Sequence, residues 1–208
     1  MEDILRKYFP NLTDTQISRY QRLIEKLREW NEKINVVSRK DIDNLEINHL
    51  LHSLAIAKFI QFNSGSVVID LGTGGGLPGL PLAIYFPEVK FHLIDRIGKK
   101  IKVAEAIATD LGLENVSFQH GDMSECKVKA DFVVSRAVSD QTSLMKIIRN
   151  NIKEKNINAL PNGLITLKGG DLDSELGNYK INSEVLSISD YFKEPFFDSK
   201  KIVYTPFY

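Results

Sequence analysis

The sequence predicts an α/β fold in which a doubly wound, mostly parallel sheet of seven strands follows a helical extension. Three patterns carry this prediction. Apolar residues recur at helical spacing in residues 1–64, and short β-branched runs alternate with helical patterns after that. Alternating strands and helices favour a parallel sheet with right-handed crossovers. The link between the last two runs is too short for a helix, which predicts an antiparallel C-terminal hairpin.

The N-terminal part contains two helical patterns, the second from about residue 43 to residue 62. Residues 63–66, Asn-Ser-Gly-Ser, form the most linker-like stretch of the chain and indicate a boundary. We therefore expect residues 1–64 to be a helical extension packed on a main domain of residues 65–208.

Seven strands are predicted after this linker, and helical patterns separate the first five of them. Carboxyl ends of parallel strands meet at one edge of a sheet, so residues that follow these strands should lie close together. The predicted strands are residues 67–71, 90–95, 115–119, 131–136, 163–168, 184–189 and 202–206.

Bulk composition narrows the class of protein. Lys plus Arg and Asp plus Glu both total 27, so the net charge is zero. This argues against a large surface for non-specific binding of nucleic acid but is compatible with a local basic patch. Cys126 is the only cysteine, no apolar run is long enough to cross a membrane, and Met1-Glu2-Asp3 differs from the basic start expected of a signal peptide. We expect a cytoplasmic monomer with no membrane partner.

A glycine-rich turn follows the first strand, and two ligands fit its spacing. Gly74, Gly76 and Gly79 match the dinucleotide pattern, which by itself is a weak signal. Gly72, Gly74 and Gly76, preceded by Asp70, match the turn of S-adenosylmethionine (SAM) methyltransferases. An acid beside the turn would repel a pyrophosphate but suits the cationic SAM. The residues therefore favour SAM, with Gly72 and Gly74 in its site.

Two further stretches suit a nucleoside ligand. Asp95 ends the second strand, where a carboxylate can accept hydrogen bonds from both ribose hydroxyls of SAM or of NAD. The alternative is a solvated acid at the end of a strand. Gly121-Asp122-Met123-Ser124 follows the third strand, where it could contact an adenine, although Gly-Asp is also an ordinary turn.

Two cations follow later strands at the same edge. Arg136 ends the fourth strand, and Lys168 ends the fifth. An arginine there is well placed for a carboxylate or a phosphate, but an ordinary ion-paired arginine fits the sequence equally well.

Missing motifs exclude other methyl-transfer chemistry. No Asn/Asp-Pro-Pro-aromatic tetrapeptide follows the fourth strand, which disfavours exocyclic amines as targets. Cys126 has no neighbour that would activate it as a nucleophile for pyrimidine C5. His49 and His52 lack the companions of a metal site, so we expect them to pack at a helix boundary and expect no metal. A target that is already nucleophilic remains, such as a ring nitrogen with a free lone pair.

These residues, taken together, resemble the RsmG (GidB) family of small-subunit rRNA methyltransferases. The extended glycine turn with Gly-Leu-Pro-Gly-Leu-Pro is specific, because SAM enzymes in general lack its two prolines. The resemblance covers about residues 20–170. The matching stretches are Trp30-Asn31 with Asn35, His49 to Leu54, Asp70 to Leu82, Asp95 with Lys99-Lys100, Ser135-Arg136-Ala137 and Leu167-Lys168-Gly169.

The resemblance implies a Rossmann-like class I SAM-dependent methyltransferase that methylates guanine N7 in 16S small-subunit rRNA. Residues 65–208 would then be the methyltransferase domain. By this similarity Arg136 and Lys168 are candidates for positioning the guanine, and no chemical catalyst is implied. The cofactor contacts fall on Gly72, Leu77, Met123, Ser124 and Arg136.

The sequence departs from the family pattern at three places. The common member has an aromatic residue at Leu77, an Ala-Glu pair at Met123-Ser124, and often an aspartate at His52. The second departure leaves a backbone contact to adenine possible but removes the usual acid, for which Asp122 could substitute.

The RNA partner, an rRNA or an assembly intermediate of the small subunit, requires a basic surface. Arg96, Lys99, Lys100 and Lys102 form one cluster next to the cofactor edge. The basic face of the first long helix is a second candidate, and paired surface charges explain it equally well. Two other functions remain open: an NAD(P)-dependent oxidoreductase, and a module that binds SAM or RNA without turnover.

Overall fold

The structure is a computed structural model that describes residues 1–136, 140–170, 172, 176, 179 and 181–207, with the backbone alone described at residues 39 and 40. Ala137, the end of one predicted motif, lies outside the described residues. Seven strands in this described part of the chain form one sheet. Their bounds are β1 Val67–Leu71, β2 Lys90–Asp95, β3 Val116–His120, β4 Phe132–Arg136, β5 Gly163–Gly169, β6 Glu184–Ser187 and β7 Lys200–Pro206.

The strand order is β3-β2-β1-β4-β5-β7-β6, which confirms the predicted doubly wound sheet. Strands β1 to β5 run parallel, and β7 lies antiparallel between β5 and β6. The last strand begins two residues before the predicted position, because Lys200 pairs with Gly169 at the carboxyl end of β5. The sequence order reverses between β1 and β4, so a crevice opens there at the carboxyl edge.

Six α-helices flank or precede this sheet in the described part of the chain. Helix α2 begins at the capping box of Thr13 and Gln16, in which each side chain binds the other residue's backbone amide. The helices are α1 Glu2–Tyr8, α2 Asp14–Asn31, α3 His52–Phe59, α4 Gly79–Tyr85, α5 Gly98–Asp110 and α6 Gln141–Ile148. No described helix is long and apolar enough to cross a membrane.

The prediction of one regular helix over residues 43–62 is wrong. A 3₁₀ turn at Arg39–Asn44 leads into a π-helical turn at Leu45–Leu51, and only then does α3 begin. The wider π turn buries Leu45, Leu50 and Leu51 while it directs His49 to the carboxyl edge of the sheet. Helical turns of this kind are frequent at functional sites.

The extension packs on the sheet-bearing part through α2. Tyr20 donates to the carbonyl of Pro81 over 3.1 Å, and Arg22 binds Asp110 at the end of α5 over 2.7 Å. Arg19 donates to the carbonyl of Leu111. Arg19 and Arg22 of this helix face are therefore bound to α5 and its end, as the alternative of paired surface charges predicted for part of the face. The boundary between residues 64 and 65 stays a prediction.

Candidate active site

A cavity of ≈ 1070 Å³ lies along the carboxyl edge of the sheet, from β2 across β1, β4 and β5 to β7. Most of the predicted site residues line it together, although they come from distant parts of the chain. The predicted residues in its wall are Gly72, Gly74, Leu77, Asp95, Met123, Arg136 and Lys168.

In the glycine turn after β1, the amides of two glycines donate hydrogen bonds to other protein groups. The amide of Gly72 donates to the carbonyl of Ile94 over 2.9 Å, and that of Gly74 donates to Asp95 Oδ2 over 2.8 Å. Both glycines have a positive φ, 74° and 58°, which side-chain-bearing residues rarely adopt. At Gly72 and Gly74 the turn therefore offers a ligand open space rather than free donors.

Asp70 lies behind this turn in the core and not in the cavity wall. Its Oδ2 accepts hydrogen bonds from Thr73 Oγ1 over 2.6 Å and from the Gly79 amide, at the start of α4, over 2.7 Å. Burial raises the pKa of Asp70 to about 7, against the effect of these hydrogen bonds. Because the Gly79 amide is bound to Asp70, it is not available to a pyrophosphate at the start of this helix. This argues against the dinucleotide alternative. The sequence argument placed Asp70 beside the turn, and these two donors hold it there, in the core rather than in the cavity wall.

The loop after α2 closes one side of the turn. Asn31 Oδ1 accepts hydrogen bonds from the amides of Val36 and Val37 over 2.8 and 3.0 Å. Val36 then lies so close to Gly75 that a Cβ at Gly75 would be 2.8 Å from the Cβ of Val36. This contact explains the Trp30-Asn31 motif: Asn31 shapes a loop that only a glycine turn accommodates. Val36 and Val37 were not predicted as site residues.

Asp95 holds the edge of the cavity at β2. Its two oxygens accept from the amides of Gly74 and Ile97, each over 2.8 Å. A carboxylate oxygen has two lone pairs, so each can accept one more bond, as two ribose hydroxyls require. Beside it, Ile97 is 50% exposed and lines the cavity. An exposed isoleucine next to this acid provides an apolar surface for a flat ring.

In the loop after β3, one residue lines the cavity and the next is exposed on the surface. Met123 is buried and lines the cavity. Ser124 is exposed and lies outside the cavity wall, and its amide donates to Asp122 Oδ1 over 2.9 Å. Asp122 also pairs with Arg96. The structure therefore brings Met123 to the site but not the side chains of Ser124 or Asp122.

Arg136 is held by a histidine from the π turn. Its Nη1 donates to His49 Nδ1 over 2.9 Å. Burial and, second, the charge of Arg136 lower the pKa of His49 to about 4, so this ring is neutral and accepts at neutral pH. Burial lowers the pKa of Arg136 to about 10, so the guanidinium stays charged. We expected His49 only to pack at a helix boundary. The structure shows that it also contacts Arg136, a predicted site residue.

His52 lies one turn further along and also lines the cavity. Its Nε2 is buried without a hydrogen-bond partner, and its ring packs against Phe196 in a T-shaped arrangement with 5.6 Å between centroids. Burial is the main cause that lowers the pKa of His52 to about 3. Lys168, Phe196 and Lys200 complete this side of the cavity, and the last two were not predicted.

The two buried histidines predict a specific pH dependence of stability. Below 6.5 the unfolded chain takes up protons at His49 and His52, whereas the folded chain does so only near 4 and 3. Their contribution to the free energy of unfolding therefore falls as the pH falls, by up to about 1.4 kcal/mol per pH unit for each histidine. Asp70 opposes this, because its folded pKa of about 7 exceeds the ordinary 3.8.

Urea unfolding of a double variant, His49→Gln with His52→Gln, measures this contribution between about pH 4.5 and pH 7. We expect the double variant to lose stability less steeply on acidification than the wild type. The exposed His120 provides the matched control, and His120→Gln should keep the wild-type slope. An unchanged slope in the double variant would contradict the neutral state of both rings.

The family model for "rRNA small subunit methyltransferase G", GidB, matches residues 16–200 of the sequence. The chain belongs to this family. A curated relative with that name from Parabacteroides distasonis is 56% identical and covers 98% of this chain and 88% of its own length. A second, from Bacteroides thetaiotaomicron, is 54% identical over 98% of both chains. The resemblance read from the motifs is therefore confirmed.

Solved structures show the same fold. A SAM-dependent methyltransferase from Aquifex aeolicus has a TM-score of 0.57 at 16% identity and covers 81% of this chain and 97% of its own. A precorrin-6Y C5,15-methyltransferase from Geobacter metallireducens has a TM-score of 0.55 at 9% identity and covers 82% and 90%. The Rossmann-like class I methyltransferase fold with an N-terminal helical extension is confirmed.

SAM is the cofactor that the GidB family and the fold imply, and the residues present fit it. The glycine turn leaves space where a side chain would stand, Asp95 has lone pairs to offer, and Ile97 and Met123 provide apolar surface. Among the described residues, no three His, Cys, Asp or Glu side chains are arranged for a metal. Sequence reasoning missed Ile97 because a single exposed isoleucine leaves no pattern.

Proposed function

We propose that this chain transfers the methyl group of SAM to N7 of a guanine in 16S small-subunit rRNA. One observation carries the proposal: a single cavity runs from the residues that fit SAM to a group of cations on β4, β5 and β7. Its two ends lie on either side of the switch point between β1 and β4. The name of the family, rRNA small subunit methyltransferase G, supports rRNA of the small subunit as the substrate.

The proposed cofactor site lies on the β1 and β2 side. Gly72, Gly74 and Leu77 form the turn, Asp95 accepts the ribose hydroxyls, and Met123 faces the adenine. Ser124, outside the cavity wall and with its amide bound to Asp122, is not part of this proposed site. When bound, SAM supplies an electrophilic methyl group on a sulfonium. We infer that these residues bind and orient it, with the methyl group near the switch point.

The proposed guanine site lies on the β4 and β5 side, at Arg136 and Lys168. Guanine N7 carries no proton, so its lone pair attacks without a general base. Guanine O6 is an acceptor beside N7, and an Arg or Lys donor bound to O6 leaves the N7 lone pair free. The lowered pKa values of His49 and His52, about 4 and about 3, make both rings weak bases, which agrees with a reaction that requires positioning rather than proton transfer.

The RNA partner is proposed to bind along the start of α5. Lys99 and Lys102 are exposed there, and Lys100 lines the cavity. Target bases in RNA are read where they are unstacked, so an unpaired region of rRNA or of an assembly intermediate is the expected substrate. This substrate and the single cysteine support the cytoplasm as the compartment, and we propose that the protein acts as a monomer.

Methyl transfer to small subunits tests the proposal. Subunits from a strain that lacks the protein, incubated with protein and labelled SAM, should gain one label at a site of N7-sensitive chain cleavage. Calorimetry should show binding of SAM and none of NAD. SAM binding without transfer to either naked rRNA or subunits would favour the non-catalytic alternative. Tight NAD binding without SAM binding would favour the oxidoreductase.

A further inference from the structure

The cavity extends further along the sheet than the cofactor residues reach. Strands β1, β4, β5 and β7 are neighbours, and three strand spacings separate the first from the last, about 14 Å. The glycine turn belongs to β1, whereas Phe196 and Lys200 belong to the β7 side. This far end lies beyond Arg136 and Lys168, at a distance that a nucleotide can span.

Phe196 is the accessible member of an aromatic cluster at this end. It lies in the 3₁₀ turn Pro195–Phe197, and Phe192 and Phe197 beside it are fully buried. Phe196 is half-buried and lines the cavity. The rings of His52 and Phe197 pack against it in T-shaped arrangements, with their centroids 5.6 and 5.1 Å from that of Phe196. These contacts fix the orientation of the ring while part of it remains open to a ligand.

Lys200 places a cation at the same ring. Its Nζ lies 4.9 Å from the centroid of Phe196. In the antiparallel pair of β5 and β7 it stands opposite Gly169, where a Cβ would come within 3.1 Å of Nζ. Gly169 therefore leaves room for the lysine side chain over the carboxyl edge.

We propose that a base of the rRNA substrate stacks on Phe196, and that Lys200, which lies over this ring in the structure, turns from it to bind a phosphate of the same strand. This inference rests on the proposed function, because it requires RNA in the cavity. Unstacked RNA bases bind aromatic side chains and their phosphates bind lysine, and the two groups stand together here. The base is the methylated guanine or its neighbour, since both lie within the span of the cavity.

RNA affinity of Phe196 variants tests the stacking contact. We expect Phe196→Leu to weaken binding of a small-subunit rRNA fragment about tenfold, with unchanged SAM affinity, and Phe196→Tyr to bind as the wild type does. Phe59→Leu is the matched control, since Phe59 is also half-buried and packs on another aromatic, Tyr204, away from the cavity. It should leave RNA affinity unchanged.

Salt dependence tests the phosphate contact independently of folding. Lys200→Gln should lower the slope of log Kd against log salt by about one unit. Wild-type RNA affinity in a folded Phe196→Leu protein, with an unchanged slope for Lys200→Gln, would overturn the inference. If the wild type methylates rRNA, that result overturns the stacking site alone. A wild type that neither binds nor methylates rRNA overturns the proposed function, and this inference with it.

Discussion

Replacing Gly72 by aspartate is expected to abolish SAM binding, with an affinity at least about 100-fold lower by calorimetry. Gly72 lines the cavity, and its φ of 74° suits glycine. A side chain here takes up space at the proposed cofactor site, and its charge lies near Asp95. The left-handed backbone itself costs about 1–2 kcal/mol of folding stability.

Gly65→Asp separates the loss of the site from backbone strain. Gly65 has a similar φ of 80°, and a Cβ there would meet no atom within 4 Å. The same substitution therefore imposes a similar strain at an open position in the linker. It should lower the melting temperature about as much as Gly72→Asp and leave SAM affinity unchanged. Normal SAM affinity in folded Gly72→Asp would show that the cofactor lies elsewhere.

Replacing His49 by alanine is expected to lower kcat/KM for rRNA by about 10- to 100-fold, with SAM affinity within about twofold of the wild type. The variant removes the acceptor of the Arg136 Nη1 hydrogen bond. A hydrogen bond to a charged group contributes about 1.5–3 kcal/mol, which corresponds to that range of rates. Without it the guanidinium is free to turn away from the proposed guanine site.

Rescue distinguishes this positioning role from a structural one. Glutamine offers a carbonyl acceptor, so His49→Gln should recover part of the activity that alanine loses. His92→Ala is the control, because His92 is also buried and hydrogen bonded, to Ser117 and Gln119, but lies outside the cavity wall. It should lose stability and keep kcat/KM. Equal activity losses in all three variants would contradict the role of His49.

The sheet could be predicted because its signals are local. Each strand is a β-branched or apolar run, and each carboxyl end carries its own polar residue, so sequence order and crossover handedness place Asp95, Arg136 and Lys168 at one edge. The prediction of one helix over residues 43–62 was wrong because it, too, depended on local signals alone. Apolar spacing predicts which residues are buried, but it does not distinguish an α-helix from a π turn that packing stabilises.

The sequence by itself determined the doubly wound sheet, the glycine turn at the cofactor edge and the family, because all three depend on residues that are neighbours in the chain. Only the tertiary structure placed Asp70 behind the turn and set Val36 against Gly75. It also joined Arg136 to His49 across 87 positions of sequence and brought Phe196 and Lys200 to the same cavity. These contacts link separate elements and therefore depend on how the elements pack. Local sequence patterns do not predict that packing.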